Sequence, residues 1–472
     1  MLSLRKPLCL RCRRCRCGWW QLGWRMKVVV LALVAVVLYA VTALSSVQES
    51  SDNSEQYIHP VTTKPRAFKK PHEPHSLKRS HKTTWSEGRY ITDGQTRMRQ
   101  RQDILIRYCS THSDEEFRGT GGIPTFRTDG LVSKRHQLFY CPVGKIASTF
   151  LTRFLVAAEE TNPVISPYAI SAAKALRMRV KRSGNHILFA PLNKLVQSGW
   201  QEKSYLVNLK RVVFVRCPFQ RLWSAYVDKL LSPNPYYWES WGYQAGNMSQ
   251  TSLLGLAGIG HDSLKKESPT ATQQPCGHDV TFSQFLRLVV ASLHRQDTHV
   301  RPVTWECSPC YVDYDVIGHV ETLTSDVTYL ASLLGLNNWT LSKVRWDEEH
   351  AEDAIKEGVR NVFFKWSSQI TECMTLEEAG KRLWRVFQIR GIISESEQFS
   401  EYLTKTLDAF SMEDALFGAR SRSVRNRADL DLQRHAAFEE AYETVDAELK
   451  NNIRKLYKAD FEMFGFDFLT NL

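Results

Sequence analysis

Leu138-Phe139-Tyr140-Cys141-Pro142-Val143-Gly144-Lys145-Ile146-Ala147-Ser148-Thr149 runs from an apolar stretch, through a loop holding a glycine and a lysine, into a helical pattern. Leu138 to Tyr140 predicts a short buried strand, and Thr149 to Ala158 predicts a helix with Phe150, Phe154 and Ala157 on one face. The same order returns downstream. Arg211-Val212-Val213-Phe214-Val215 reads as a strand that stops at Arg216 and Pro218, and a helix starting near Pro218 buries Leu222, Tyr226 and Leu230. A unit of strand, loop and helix occurring twice predicts an α/β fold. Its central parallel sheet would be flanked by helices, with ligands at the carboxyl ends of the strands.

Both loops carry groups suited to an anion. Backbone amides at a helix start attract negative charge, Lys145 adds a point charge, and Ser148 and Thr149 add hydroxyl donors. The loop is not a Walker motif, because Ile146 rather than Ser or Thr follows the lysine. In the second loop, Arg216 at the strand end supplies a planar fork and Ser224, two turns into the helix, supplies one hydroxyl. The two could close on a single phosphate.

The chain of 472 residues, 43% hydrophobic and 24% charged, can bury a full core, which excludes a disordered protein or a small disulfide-stapled scaffold. Its net charge of +12 is concentrated at one end. Residues 1–27 hold eight Lys/Arg and no acid, residues 47–108 hold twelve against seven acids, and the remainder is close to neutral. The basic balance therefore gives no reason to expect a nucleic-acid partner. An uncharged apolar run from Val28 to Ser46 has the length of one membrane crossing. With positive charge on its amino side and Glu49 and Asp52 beyond it, the run predicts an uncleaved anchor with a cytosolic tail (1–27) and a lumenal body. Residues 47–103 read as a solvated stem and 104–472 as the folded domain. The sequons at Asn247 and Asn338 agree with a lumenal body.

The eleven cysteines divide into four in the tail (Cys9, Cys12, Cys15, Cys17) and seven in the body. The tail set suits S-acylation, or no role at all, better than zinc. In an oxidising compartment the body set predicts disulfides with at least one thiol left over, and Cys307-Ser308-Pro309-Cys310 is expected to be structural rather than redox-active. A basic run, Arg177 to Arg182, reads as a solvated edge.

On its two loops the chain resembles the Golgi carbohydrate sulfotransferases, in the group of chondroitin 4-O, dermatan and HNK-epitope enzymes. Cys276 to Phe282, Asp297-Thr298-His299, Cys307 to Cys310, Tyr314 to Gly318, Glu321 to Leu323 and Leu456 to Phe466 follow in the family's order. Where the family usually has proline before the loop lysine, this chain has Gly144, and residues 340–440 are longer than the family pattern. The resemblance implies a P-loop-like sulfotransferase fold in a single-pass type II Golgi membrane protein. It also implies sulfuryl transfer from 3′-phosphoadenosine 5′-phosphosulfate to a hydroxyl of a glycan or proteoglycan, with no metal. Gly144, Lys145, Ile146, Ala147, Ser148, Thr149 and Phe150 would hold the 5′-phosphosulfate, and Arg216 and Ser224 the 3′-phosphate. A base is needed for the acceptor hydroxyl; His299, supported by Asp297, is the first choice, with His136, His319 and Glu321 as rivals. A homo-oligomer is compatible with this picture. The competing readings are a non-catalytic glycan-binding protein on the same fold, opposed by intact Lys145, Arg216 and Ser224, and a lumenal P-loop kinase, opposed by the loop spacing.

Overall fold

Three parallel strands form the centre of the computed structural model, which describes residues 87–112, 130–133, 135–159, 166–178, 190–191, 208–251, 276–336, 344–424 and 427–467. They are β2 (Leu138–Cys141), β4 (Lys210–Val215) and β5 (Val316–His319), beside β1 (Leu131–Ser133) and β3 (Ala190–Pro191), in the order β3-β1-β2-β4-β5. Leu138 pairs with Lys210 and Cys141 with Val213; Val212 pairs with Val316 and Val215 with His319. The expectation of a parallel sheet holds for these three strands only. β1 runs antiparallel to both β2 and β3, so the sheet is mixed. The physical reason for the β1–β2 pair is that so few residues separate Ser133 from Leu138, a length that can join only antiparallel neighbours.

The principal helices are α1 (Glu87–Thr111), α2 (Ser148–Glu159), α3 (Pro218–Tyr226), α4 (Phe282–Leu288), α5 (Leu323–Leu333), α6 (Trp346–Arg360), α7 (Leu376–Ile389), α8 (Ala409–Ser423), α9 (Arg427–Glu443) and α10 (Lys458–Phe464). α2 is buried from Phe150 to Ala158 rather than along one face, because it is covered on several sides. α3 runs on into a π-helical turn, Val227–Leu231, and Leu222, Tyr226 and Leu230 are buried as the periodicity requires. α4 likewise ends in a π-helical turn, Val289–Leu293, so its apolar stripe from Phe282 to Leu293 is carried by two segments. One core surrounds the sheet; a second joins α3 and α4 to α6 through α9.

The folded body begins earlier than the expected boundary at residue 104. α1 starts inside the segment read as stem and is weakly apolar, with Met98, Leu105 and Tyr108 as its buried anchors. Its polarity concealed it in the sequence, since much of its attachment is ionic. Arg101 donates to Asp326 Oδ2 (2.8 Å) and to the Ile317 carbonyl (2.7 Å), and Arg97 reaches Asp326 Oδ1 at 3.3 Å. Asp326 is fully buried at the start of α5 and also accepts from the Thr322 hydroxyl and the His319 amide.

Cys109 pairs with Cys310, Cys141 with Cys307 and Cys276 with Cys373, leaving Cys217 as a buried free thiol. The odd count and the structural reading of Cys307 and Cys310 are both borne out. No helix among the described residues is long and apolar enough to cross a membrane. The expected anchor at 28–46, the tail cysteines, Asn338 and residues 179–182 of the basic run lie outside those residues.

Replacing Asp326 with alanine should leave Arg101 buried without its carboxylate and lower stability by about 3–5 kcal/mol. Urea unfolding followed by tryptophan fluorescence measures this; a loss under 1 kcal/mol would remove Asp326 from the account of how α1 is held.

Candidate active site

The loops after β2, β4 and β5 open at the same end of the sheet, as parallel pairing demands. Behind Cys141 the chain turns sharply, with Lys145 at φ 64° and Ala147 at φ 50°. Non-glycine residues in this left-handed region cost roughly 1–3 kcal/mol and persist where the surroundings impose them. The turn delivers the chain into α2, whose first amides face the loop. Within the stretch 144–150, Ile146 and Phe150 are core residues: Ile146 is buried, and the Phe150 ring packs 5.1 Å from Trp346 and 5.4 Å from Tyr168. That leaves the backbone around Gly144, the Lys145 ammonium and the half-buried Ser148 and Thr149 as the polar groups that line the loop.

Arg221, which the sequence reading overlooked, joins this loop to the segment carrying His299. The residue is 2% exposed. Its Nε donates to the Gly144 carbonyl (3.0 Å), Nη2 to Thr298 O (2.9 Å) and Nη1 to Arg301 O (2.6 Å). A signal was present, because Arg221 falls on the helical stripe shared with Pro218, Leu222 and Ala225. The loops meet so closely that a Cβ at position 144 would lie 3.0 Å from His299 Cα and 3.1 Å from its Cδ2. Glycine at this position thus permits the contact, which gives a physical reason for the departure from the family's proline.

Along α3, Ser224 lies three residues after Arg221 and four before Asp228, so it shares the face that meets the loop. Asp228, also overlooked, receives Lys145 Nζ at 2.9 Å and Lys229 Nζ at 3.1 Å. Burial is the main influence on Lys145 and lowers its pKa to about 8; Asp228 opposes the shift, while Lys229 and Arg390 reinforce it. Burial disfavours the Asp228 carboxylate too, but the two lysines outweigh it and hold Asp228 well below the usual carboxylate range.

Arg216 sits at the end of β4, with Nη1 3.4 Å from the Lys145 carbonyl. Its buried Nε has no protein partner, and burial brings its pKa down to about 10 against the pull of Glu321. A buried guanidinium edge with an unused donor suits an anion arriving from outside the chain. Arg434 of α9 adds to the positive field there.

His299 Nδ1 meets Asp297 Oδ1 at 2.7 Å, and the same oxygen accepts from the His299 amide at 2.8 Å. Burial lowers the His299 pKa, Asp297 opposes this, and Lys229 and Lys145 add to the lowering. The ring is therefore neutral at pH 7, and with Nδ1–H assigned as the donor to Asp297, Nε2 keeps its lone pair. The rivals are placed differently. His136 lies at the opposite end of β2 with Nε2 3.0 Å from the Ala158 carbonyl. His319 is pressed against Phe466, and burial pushes its pKa to about 3. Glu321 accepts from the Cys217 amide. The structure thus gathers Gly144, Lys145, Arg216, Asp297 and His299 into one region, with Ser224 one turn along α3 from Arg221, and sets His136 apart.

The profile described as "Sulfotransferase family" matches residues 128–377. Carbohydrate sulfotransferase 12 of Mus musculus is 25% identical over 289 residues, 57% of this chain and 64% of its own. Carbohydrate sulfotransferase 11 of Mus musculus is 27% identical over 216 residues (44% and 53%), and carbohydrate sulfotransferase 9 of Homo sapiens is 29% identical over 209 residues (43% and 40%). The chain spans about half the length of the curated relatives it matches. No solved structure matches it.

The Lys145–Asp228 pair generates a pH prediction. A charged Lys145 is present below pH about 8 and lost above it, so kcat/KM for an anionic donor should fall on the alkaline side. Asp228→Asn removes the group that opposes burial and should move this limb to lower pH. The expected loss is roughly tenfold at pH 8 and shrinks toward pH 6. An unchanged alkaline limb in the variant would show that Asp228 does not sustain the lysine's charge.

Proposed function

The chain belongs to the sulfotransferase family, and from that premise we propose that it moves a sulfuryl group from 3′-phosphoadenosine 5′-phosphosulfate to a sugar hydroxyl. The observation that carries this reading is the convergence of Lys145 and the unpartnered edge of Arg216 on one side with the Asp297-supported His299 on the other. The carbohydrate sulfotransferases among its relatives support a glycan as acceptor.

The residues present suit such a donor. Lys145, Ser148, Thr149 and the first amides of α2 would hold the 5′-phosphosulfate, with Arg216 and Ser224 on the 3′-phosphate. In the reaction the sulfur–oxygen bond to the donor phosphate breaks as a bond from the sugar oxygen to sulfur forms. The Lys145 ammonium is the charge that faces the oxygen left behind. His299 Nε2 takes the proton of the attacking hydroxyl, and Asp297 keeps the imidazole oriented and stabilises the imidazolium that results. Arg221 acts as a positioning residue by holding both loops.

We place the chain as a single-pass type II protein of the Golgi membrane, with its catalytic domain in the lumen. Three disulfides among the described residues and the exposed sequon residue Asn247 support an oxidising, glycosylating compartment.

Transfer of radiolabelled sulfate from the labelled donor to a glycan panel tests the activity. Lys145→Ala should lower turnover by roughly two to four orders of magnitude. His299→Ala should cut kcat by about 10²–10⁴ while leaving nucleotide affinity unchanged; near-normal turnover in Lys145→Ala with the fold intact would sink the reading. Protease added to sealed microsomes should trim only the tail and leave a body whose size shifts on deglycosylation. Digestion of the body without detergent would reverse the orientation.

A further inference from the structure

The segment Asn234-Pro235-Tyr236-Tyr237-Trp238-Glu239-Ser240-Trp241 follows the turn that carries Asp228 and Lys229. A short helical turn, Pro235–Tyr237, leads into a π-helical turn, Trp238–Gly242. Two buried indoles pin the segment. Trp238 is fully buried, donates from Nε1 to the Leu230 carbonyl (2.9 Å) and lies under the Arg382 guanidinium at 5.5 Å; Trp241 is 3% exposed and stacks 5.8 Å from Phe285. Tyr237, packed 4.7 Å from Trp241, stands at the site. Lys229 Nζ is 4.5 Å from its ring centre, and the His299 ring meets it edge-on at 5.9 Å and 89°.

Tyr236 packs on Tyr237 at 5.0 Å, nearly perpendicular, and yet remains 62% exposed. A large ring thus packs on the half-buried Tyr237 while much of its surface faces water, with that one ring between it and the candidate base. The donor groups Arg216 and Ser224 belong to the loop and helix after β4, whereas Tyr236 reaches the site through Tyr237 and His299. A pyranose ring has one face of C–H groups that packs on an aromatic plane and a rim of hydroxyls that stays hydrated, which matches a ring presented in this way.

We propose that Tyr236 is the platform on which a hexopyranose ring of the acceptor glycan stacks, with Tyr237 as the support that registers the sugar against His299. The inference rests on the sulfotransferase reading and extends it to the acceptor side of the same site. Because the ring is exposed, its replacement leaves the fold in place.

The test uses the full chain in detergent, saturated with 3′-phosphoadenosine 5′-phosphate, on an array of unsulfated chondroitin, dermatan-type, heparosan and N-acetyllactosamine oligosaccharides. Nucleotide affinity is measured separately by calorimetry. Tyr236→Ala should weaken glycan binding about tenfold or more, while Tyr236→Phe and Tyr236→Trp, which keep an aromatic face, stay within about threefold of the wild type. Nucleotide affinity should be the same in all four proteins. Unchanged glycan binding in Tyr236→Ala, an equal loss in Tyr236→Phe, weakened nucleotide binding, or a wild-type chain that binds no glycan on the array would each overturn the platform. A wild-type chain that binds no nucleotide overturns the sulfotransferase reading itself, and the platform falls with it.

Discussion

A guanidinium taken out of water must have each of its donors answered, and Arg221 answers three of them with backbone carbonyls from two loops distant in sequence. Gly144 belongs to the turn after β2, and Thr298 and Arg301 belong to the segment after α4. Burial lowers the Arg221 pKa, with Tyr457, Asp460, Glu306 and Asp297 opposing the shift, so negative charge around it helps keep the group ionised. The separation of Lys145 from His299 is therefore set by a residue that stands behind both of them. Glycine at position 144 is the counterpart of this clamp, since a side chain there would meet His299.

Around the clamp, charges are arranged as linked pairs. Lys145, Asp228 and Lys229 form one chain of contacts, Lys229 faces the Tyr237 ring, and Tyr237 meets His299, which rests on Asp297. Several of these groups are supplied by the π-helical turn Val227–Leu231, where the altered repeat directs Asp228 and Lys229 toward the loop. Helix α7 supports that turn, since Arg382 donates from Nε to the Leu231 carbonyl (2.6 Å). The long stretch after residue 340 thus takes part in building the site: Tyr442 of α9 donates to the Phe219 carbonyl (2.9 Å), at the first turn of α3, and Arg390 adds to the field at Lys145.

Covalent links converge on the same region. Cys141, the last residue of β2, is tied to Cys307, and Cys109 at the end of α1 to the neighbouring Cys310. Each closes a loop of well over 100 residues, which restricts the unfolded chain by about 5 kcal/mol in the loop-entropy account. Asp460 at the base of α10 accepts from the Val303 and Thr304 amides (2.7 and 2.9 Å), so the C-terminal helix steadies the chain leading out of the His299 segment.

Much of this was legible in the amino-acid order. The two strand-loop-helix units, the placing of Lys145 and Arg216 just past strand ends, the pairing of Asp297 with His299 and the leftover thiol follow from local pattern and residue chemistry, which act over a few neighbours. The antiparallel edge of the sheet, the onset of α1 before residue 104, and the contacts made by Arg221, Asp228 and Tyr236 do not. In α1 polar residues dominate, and they are held by a buried carboxylate at position 326 that no local window contains. A lysine or arginine has the same letter whether it faces solvent or a carbonyl, and Arg221 became a clamp only when folding brought residues 144 and 298 to it. Local sequence determined which elements form and which charged groups stand at their ends. Long-range packing decided which charges lose their water and which partners then hold them, because desolvation depends on the whole fold.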